Sequence, residues 1–248
     1  RRISSAASDV YKRQGYDSVT VDIQHGALDY SDVLPMFQAM QSSGATLMAR
    51  VPWRDPGYIM KALDVGAMGI ICPMINNSEE AAEFISYMRY PPLGQRSFGP
   101  TRVAVSVPDY GVEANDEVLA FAMIETADGV QNLEAIAATA GLDGIYVGPA
   151  DLTLGTQLGR LAPGLDRTET EMVTLIQKVA SVCKEYGLIA GIHCGTAEYA
   201  SKAIGWGYNL TTIGGDTRLL ASAAAASVSS WRKLTGRKEK AQVTGGVY

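Results

Sequence analysis

The sequence LDGIYVGPADL, residues 142–152, joins an apolar run to a turn and to the start of a helical segment. The run is apolar almost throughout, which is typical of a parallel strand buried on both of its faces. A glycine and a proline then end the strand. The order of strand, turn and helix is that of one βα unit in an α/β protein.

Six further apolar runs repeat this unit, and longer segments with helical periodicity separate them. Seven such units in one chain of 248 residues predict a (β/α)8 TIM barrel, because a doubly wound sheet more often stops at five or six strands. The predicted strands are SVTVDI (18–23), TLMARV (46–51), MGIICPM (68–74), VLAFAMIE (118–125), LDGIYVG (142–148), LIAGIHC (188–194) and NLTTIGG (209–215).

The ends of the chain and two helix starts complete this organisation. We expect residues 1–14 to be a non-native leader, 15–236 to be the barrel domain and 237–248 to be a polar tail. Since seven strands are visible, we expect a barrel that is truncated at its N-terminus and lacks its first strand. Helices are predicted to start at Asn77 or Ser78 and at a capping box from Thr168 to Glu171, and residues 90–111 to form a long loop.

Composition excludes several classes of function. Hydrophobic residues make up 47% of the chain, which is enough for a sizeable core. The formal net charge of −5 argues against nucleic-acid binding. No apolar run reaches the roughly 18 residues of a membrane-spanning helix, so no membrane partner is expected. Because Cys72, Cys183 and Cys194 lack disulfide or zinc spacing, we expect a cytoplasmic protein.

Polar side chains follow the predicted strands, where the catalytic groups of a barrel lie. No lysine stands at a strand end, which argues against a Schiff-base aldolase. The polar residues at strand ends are Asp22, Gln24, His25, Arg50, Glu125, Asp151, His193 and Asp216.

Glu125 and Asp151 are candidate ligands for a hard divalent cation. Mg²⁺ or Mn²⁺ is often held by only one or two carboxylates, with water and substrate oxygens at the other positions. The alternative is that both residues cap the helices that follow them. The backbone of GPAD, residues 148–151, is a candidate anion site at a helix start, although Pro149 supplies no N–H group.

Arg50 and His25 leave two interpretations each. Arg50 suits a carboxylate or an enolate oxygen, or it forms an ion pair with a loop carboxylate. His25 is a general-base candidate that Asp22 could orient, or it is structural. His193 has no partner nearby in sequence, and we expect it to be a structural residue at the rim.

Six motifs occur in a fixed order: VDIQHG (21–26), ARVPW (49–53), GIICPM (69–74), RSFGPTR (96–102), MIET (123–126) and YVGPADL (146–152). Together they resemble the metal-dependent pyruvate aldolases of the 4-hydroxy-2-oxoheptanedioate aldolase type, the HpcH/HpaI family, from about Gly15 to Gly236. The resemblance implies a (β/α)8 barrel, a homo-oligomer (trimer or hexamer), and a divalent cation as cofactor: Mg²⁺ or Mn²⁺, with Co²⁺ and Zn²⁺ as further candidates.

The resemblance also implies roles for particular residues. Glu125 and Asp151 match the metal ligands, Arg50 the arginine on the enolate oxygen, and Asp22 with His25 the acid–base pair. The carboxylate of the substrate would bind the backbone at Gly148, Ala150 and Asp151. The implied reaction joins the enolate of pyruvate to an aldehyde, or cleaves a 4-hydroxy-2-oxo acid in the reverse direction.

Two positions differ from the family pattern. Gln24 stands where many members have Glu, and Met123 where many have Gln, so the proton relay and the specificity are expected to differ. Two other functions remain open. One is a lyase for CoA thioesters of the malyl or citramalyl type, and the other is a non-catalytic fragment that binds a metal and an oxo-acid.

Overall fold

The computed structural model describes residues 8–157 and 160–238. The predicted leader therefore lies partly, and the predicted tail largely, outside the described residues. No helix within the described ranges is both long and apolar enough to cross a membrane.

Seven parallel strands form one sheet, and each strand pairs with the next in chain order. All seven predicted strands are confirmed, although each is shorter than predicted. Their bounds are β1 Ser18–Asp22, β2 Thr46–Arg50, β3 Gly69–Cys72, β4 Leu119–Ile124, β5 Gly144–Val147, β6 Ile189–Ile192 and β7 Leu210–Thr211.

The largest difference is at β7, where seven residues were predicted and two pair with β6. Beyond Thr211 a side chain carries much of the contact. The Thr212 hydroxyl accepts from the backbone N–H of Cys194 at 2.7 Å and donates to the carbonyl of the same residue at 2.9 Å. Gly214 then turns the chain with a φ of 119°, a conformation that favours glycine.

Helices separate successive strands, as expected for βα units. Those between β1 and β4 are α1 Tyr30–Met40, α2 Pro56–Asp64, α3 Ser78–Met88, α4 Val103–Ser106 and α5 Tyr110–Glu117. Those after β4 are α6 Ala127–Gln131, α7 Leu133–Ala137, α8 Pro149–Gln157, α9 Thr170–Glu185, α10 Ala197–Gly205 and α11 Asp216–Leu234.

One predicted helix start is confirmed and the other is wrong. Helix α3 begins after Asn77, whose side chain accepts from the N–H of Glu80. Helix α9 begins after Glu169 and has no side-chain cap. The reason is a competing ion pair, because the Glu169 carboxylate accepts from Arg167 at 2.6 Å and from the N–H of Thr168 at 3.1 Å. Thr168 therefore stays outside the helix.

Residues 90–111, predicted as a loop, contain α4 and the start of α5. A buried arginine anchors this segment. The Arg96 guanidinium lies 4.5 Å from the centre of the Tyr90 ring and 5.5 Å from that of Tyr110, and Nη2 donates to Asp64 at 2.7 Å. This stacking and pairing holds the long excursion against α2.

The core has two layers, one on each face of the sheet. The outer layer packs the sheet against the helices, and Phe37, Ile59, Phe84 and Ile176 are fully buried in it. The inner layer lies on the opposite face of the sheet. It consists of Met48, Ile71, Phe121, Met123 and Tyr146. Both faces of the central strands β3 to β6 are thus buried, which explains their nearly continuous apolar sequences.

Candidate active site

Strand alternation brings the key polar side chains to one edge of the inner face. Arg50 lies two residues after Met48 on β2, and Glu125 lies two residues after Met123 on β4, so each shares the face of an inner-layer residue. His193 comes directly after β6, two residues after Gly191, and therefore lies on the same face as Gly191. Because the strands are parallel, their carboxyl ends meet at one edge, and the predicted clustering follows from the fold.

Arg50 and Asp22 form a tight ion pair at this edge. They are register partners on β2 and β1, and the guanidinium donates from Nε at 2.9 Å and from Nη2 at 2.5 Å to the two carboxylate oxygens. Burial raises the pKa of Asp22, but the hydrogen bond and charge of Arg50 outweigh it and leave the pKa lowered. Nη1 of Arg50 makes no hydrogen bond to any residue that the structure describes.

The segment after β1 wraps around the same carboxylate. The backbone N–H groups of Gln24 and His25 donate to Asp22 at 3.1 and 3.3 Å. The His25 side chain is exposed, so it lies at the rim beside the pair. The Oε1 atom of Gln24 is buried and has no hydrogen-bond partner in the described part of the chain.

Glu125 is the most buried acidic residue of the site, with 2% of its surface exposed. Its Oε1 accepts from the N–H of Met74 at 2.8 Å, and Met74 has a positive φ of 58°. Its Oε2 is buried without a hydrogen-bond partner among the described residues. Burial, followed by the charge of Asp151, raises the pKa of Glu125 to about 7, although the Met74 N–H and Arg50 oppose this rise.

Neither predicted carboxylate is a helix cap, which excludes the structural alternative for both. Thr126 caps α6 instead of Glu125, and Asp151 lies within the first turn of α8. The N–H groups of Ala150 and Asp151 belong to that turn, where helix N–H groups have no acceptor within the helix. They lie at the positive end of the helix dipole and suit a carboxylate.

Gly148 connects these two parts of the site. A Cβ atom at this position would lie 2.7 Å from Glu125 Oε2 and 2.4 Å from Met123 Cε. The glycine therefore lets the main chain pass close to the unpartnered oxygen, where any side chain would collide with it. Among the described residues no group of three or more His, Cys, Asp or Glu side chains could hold a metal ion.

One pocket joins most of the predicted residues. It includes the predicted Arg50 and the predicted GPAD turn, together with three side chains that were not predicted as site residues. Its lining consists of Arg50, Met123, Gly148, Ala150, Asp151, Leu165 and His193. Asp22 reaches this pocket through Arg50, whereas Glu125 and His25 are not part of the lining.

His193, which was expected to be a structural residue at the rim, has a specific partner that is distant in sequence. Its Nδ1 lies 3.3 Å from the Tyr146 hydroxyl, and it faces the pocket. Tyr146 is 47 positions away in sequence, so no local motif links the two residues. The one feature of the sequence that relates to this contact is Gly191. It lies opposite Tyr146 in the pairing of β5 with β6, and its lack of a side chain leaves room for the tyrosine ring.

Comparison with known proteins identifies the family of the chain. A sequence model of the HpcH/HpaI aldolase/citrate lyase family matches residues 4–223. A hydroxypyruvate/pyruvate aldolase from Rhizorhabdus wittichii is 37% identical over 92% of this chain and 90% of the relative. A 5-keto-4-deoxy-D-glucarate aldolase from Klebsiella pneumoniae is 30% identical over 92% and 88%.

A solved structure gives the same result for the fold. A HpcH/HpaI aldolase/citrate lyase family protein from Burkholderia cenocepacia superposes with a TM-score of 0.84 at 30% identity, over 93% of this chain and 91% of that protein. The resemblance drawn from the six motifs is thereby confirmed. The chain belongs to the HpcH/HpaI aldolase/citrate lyase family and is a lyase that makes and breaks carbon–carbon bonds.

Proposed function

We propose that this protein is a divalent-metal-dependent aldolase that cleaves 4-hydroxy-2-oxo acids to pyruvate, or to a close analogue of pyruvate, and an aldehyde. The observation that carries the proposal is the unpartnered Oε2 of Glu125, which is buried close to the main chain of Gly148 and feels the charge of Asp151. A buried carboxylate oxygen without a partner is costly. A bound cation would supply the missing partner.

The donor set fits a hard cation. Two carboxylates provide oxygen ligands and leave other positions for water and for an oxygen-rich substrate, as Mg²⁺ and Mn²⁺ sites commonly do. The raised pKa of Glu125 reflects burial that the Met74 N–H and the charge of Arg50 offset only in part, and a cation would add positive charge there. When bound, the cation supplies Lewis-acid stabilisation of the negative charge that develops on the keto oxygen.

Arg50 stabilises the same charge from the protein side. Two of its nitrogens hold Asp22, so the guanidinium has a fixed orientation, and Nη1 remains available to the pocket. A preorganised donor of this kind stabilises an oxyanion without reorganisation during the reaction. Asp22 thus positions Arg50 and offsets the cost of burying its charge.

Substrate orientation and proton transfer are assigned to the neighbouring groups. The backbone at Gly148, Ala150 and Asp151 binds the substrate carboxylate at the start of α8. His25 acts as the general base that removes or returns the C3 proton, with its main chain fixed on Asp22. Its exposed position lets it exchange protons with water.

The named activities of the relatives support the substrate class. A hydroxypyruvate/pyruvate aldolase and a 5-keto-4-deoxy-D-glucarate aldolase each match about nine-tenths of this chain. Both names describe aldol chemistry of 2-oxo acids. The three cysteines are buried and free, which fits the cytoplasmic location that we propose.

We further propose a single aldolase domain over residues 15–236 whose sheet is an arc of a (β/α)8 barrel. Seven strands follow in consecutive parallel order, and the place of an eighth lies between β7 and β1. We also propose a homo-oligomer. The support for an oligomer is helix α11. No residue of α11 is buried, and its apolar residues Leu220, Val228 and Trp231 are about half exposed.

The proposed function is tested by exchange of the pyruvate methyl protons in deuterated buffer, followed by NMR. Exchange is measured with Mg²⁺ or Mn²⁺, then with EDTA, for the wild type, E125Q and E117Q. Glu117 is exposed at the end of α5, so E117Q is the matched control. We expect metal-dependent exchange in the wild type and the control, and a loss of about 10² or more in E125Q.

Either of two results would overturn the proposal. Exchange that persists undiminished in EDTA would remove the cation from the reaction. Absence of exchange in a folded wild-type protein loaded with metal would remove pyruvate enolisation, and would point to a thioester lyase or to a binding protein.

A further inference from the structure

His193 lies in the substrate pocket, and none of the proposed steps uses it. The residue follows β6 and lines the pocket together with Arg50 and Asp151. Its side chain is half-buried. An imidazole in this position either fills space or binds part of a substrate.

The buried Tyr146 holds this imidazole. Only 3% of Tyr146 is exposed, and its hydroxyl lies 3.3 Å from His193 Nδ1. Gly191 makes this contact possible, since a Cβ atom there would lie 2.6 Å from the Tyr146 ring. The phenol therefore occupies Nδ1, and Nε2 is the ring nitrogen without a hydrogen bond to the described residues.

The surroundings keep the ring uncharged. Burial, followed by the positive charge of Arg50, lowers the pKa of His193 to about 4, with Arg218 adding to this effect and Asp22 and Asp166 opposing it. Near neutral pH the imidazole is therefore a neutral group that is influenced by the charges of two guanidinium groups, those of Arg50 and Arg218. The guanidinium groups suit carboxylates, whereas the imidazole suits an uncharged oxygen.

A hydroxyl group matches this imidazole in either tautomer. If the Tyr146 hydroxyl donates to Nδ1, then Nε2 carries the proton and donates to the ligand. If Nδ1 donates to Tyr146, then Nε2 accepts. A hydroxyl can both donate and accept, so it satisfies Nε2 in both cases, whereas a carboxylate satisfies only the first.

We propose that His193, positioned by Tyr146, is a specificity residue that binds a hydroxyl group of the substrate close to the carbon–carbon bond that is made or broken. The inference rests on the proposed function and adds the substrate class: hydroxylated oxo-acids and aldehydes. The carboxylate and keto oxygens are already assigned to the α8 backbone, Arg50 and the cation. The hydroxyl therefore belongs either to the oxo-acid donor or to the aldehyde acceptor.

Two pairs of isosteric probes, in which CH₃ replaces OH, distinguish these sources. The first arm condenses pyruvate with glycolaldehyde or with propanal. The second arm condenses hydroxypyruvate or 2-oxobutanoate with propanal. In each arm kcat/KM is compared between the hydroxylated probe and its methyl counterpart, for the wild type, H193L, H193Q and Y146F.

In one arm we expect H193L to lower kcat/KM for the hydroxylated probe at least about tenfold, while the methyl counterpart changes little, because one hydrogen bond to a buried polar group is lost. H193Q, which keeps a hydrogen-bonding group, should fall between H193L and the wild type. Y146F should show a smaller loss with the same preference, since the ring remains but loses its partner. L165V alters the shape of the pocket only and should change both probes by the same factor.

Failure of this inference is separable from failure of the proposed function. Methyl-proton exchange of pyruvate by the wild type is measured first, and its absence would overturn the proposed function. If exchange is present and the preference for the hydroxylated probe is the same in H193L and the wild type in both arms, then the role of His193 is wrong. If H193L does not fold, an unchanged preference in both H193Q and Y146F overturns that role equally.

Discussion

Asp22 and Arg50 lie directly opposite each other on β1 and β2, and two hydrogen bonds of 2.9 and 2.5 Å join their side chains. The paired geometry uses the planar fork of the guanidinium. This pairing fixes the direction of Nη1, the guanidinium nitrogen that is left to donate to a ligand in the pocket. A strand register thereby sets the orientation of a group that we assign to the enolate oxygen.

We predict that R50K loses most of the activity although it keeps the charge. A lysine has no planar fork, so it cannot hold both Asp22 oxygens and still present a fixed donor to the substrate. We expect kcat for retro-aldol cleavage to fall by about 10², as for loss of an oxyanion donor. The measurement is steady-state release of pyruvate.

R54K provides the matched control for this change. Arg54 pairs with Glu80 and Glu83 and is not part of the pocket lining. The same replacement of arginine by lysine at position 54 should leave kcat nearly unaltered. A nearly normal kcat in R50K would remove Arg50 from the chemistry.

We predict that the proposed oligomer depends on one face of α11. Leu220, Val228 and Trp231 are spaced by eight and three residues, which places them on one side of a helix. An apolar helix face that is about half exposed is unfavourable in water. L220E and W231E should therefore shift the protein toward the monomer, as measured by light scattering after size-exclusion chromatography.

S222E places the same charge on the opposite side of α11 and should leave the assembly intact. Oligomers of unchanged mass in both L220E and W231E would contradict the assignment of this face.

The sequence predicts the strands of this fold better than it predicts the partners of individual side chains. Strands buried on both faces have continuous apolar sequences, so their number and order are visible locally. The ends of helices are harder to predict from the sequence, because they depend on which neighbouring side chains form hydrogen bonds and ion pairs with each other. Thr168 has the pattern of a cap, yet the ion pair between Arg167 and Glu169 decides where α9 begins.

The same distinction holds in the site. Strand ends indicate which residues gather, and Arg50 and Asp151 do line one pocket. The role of His193 depends on Tyr146, on another strand, and on the space left by Gly191. Such a contact between distant residues carries no periodic signal, so only the assembled sheet reveals it.

We predict that His193 makes stability depend on pH in a defined window. Its pKa falls from 6.5 to about 4 in the folded protein, so below pH 6.5 the unfolded chain binds the proton more readily. The contribution of His193 to the free energy of unfolding is therefore complete above pH 6.5. It is lost as the pH falls through about 4.

Urea denaturation of the wild type and H193Q between pH 4 and 8 measures this effect. The stability difference between them should be constant above pH 6.5 and should change below it. The chain has two histidines, so the ring-proton resonance that vanishes in H193Q identifies His193 in an NMR titration. A midpoint near 6.5 for that resonance would contradict the prediction.

We predict that G148A damages the proposed metal site more than it damages the fold. The new Cβ would lie 2.4 Å from Met123 Cε and 2.7 Å from Glu125 Oε2, so both side chains must move. Overpacking of this kind costs about 1–3 kcal/mol, and displacement of Oε2 should weaken the binding of Mn²⁺. Thermal unfolding and Mn²⁺ titration followed by electron paramagnetic resonance measure the two effects.

A second substitution separates these effects. In G148A/M123A the methionine end is gone, so most of the packing strain is relieved, while the contact between the new Cβ and Glu125 Oε2 remains. Stability should then recover in part and Mn²⁺ affinity should not. G205A, where a Cβ meets nothing within 4 Å, controls for the loss of a glycine. Recovery of both properties together would show that Met123, rather than Glu125, is what requires glycine at position 148.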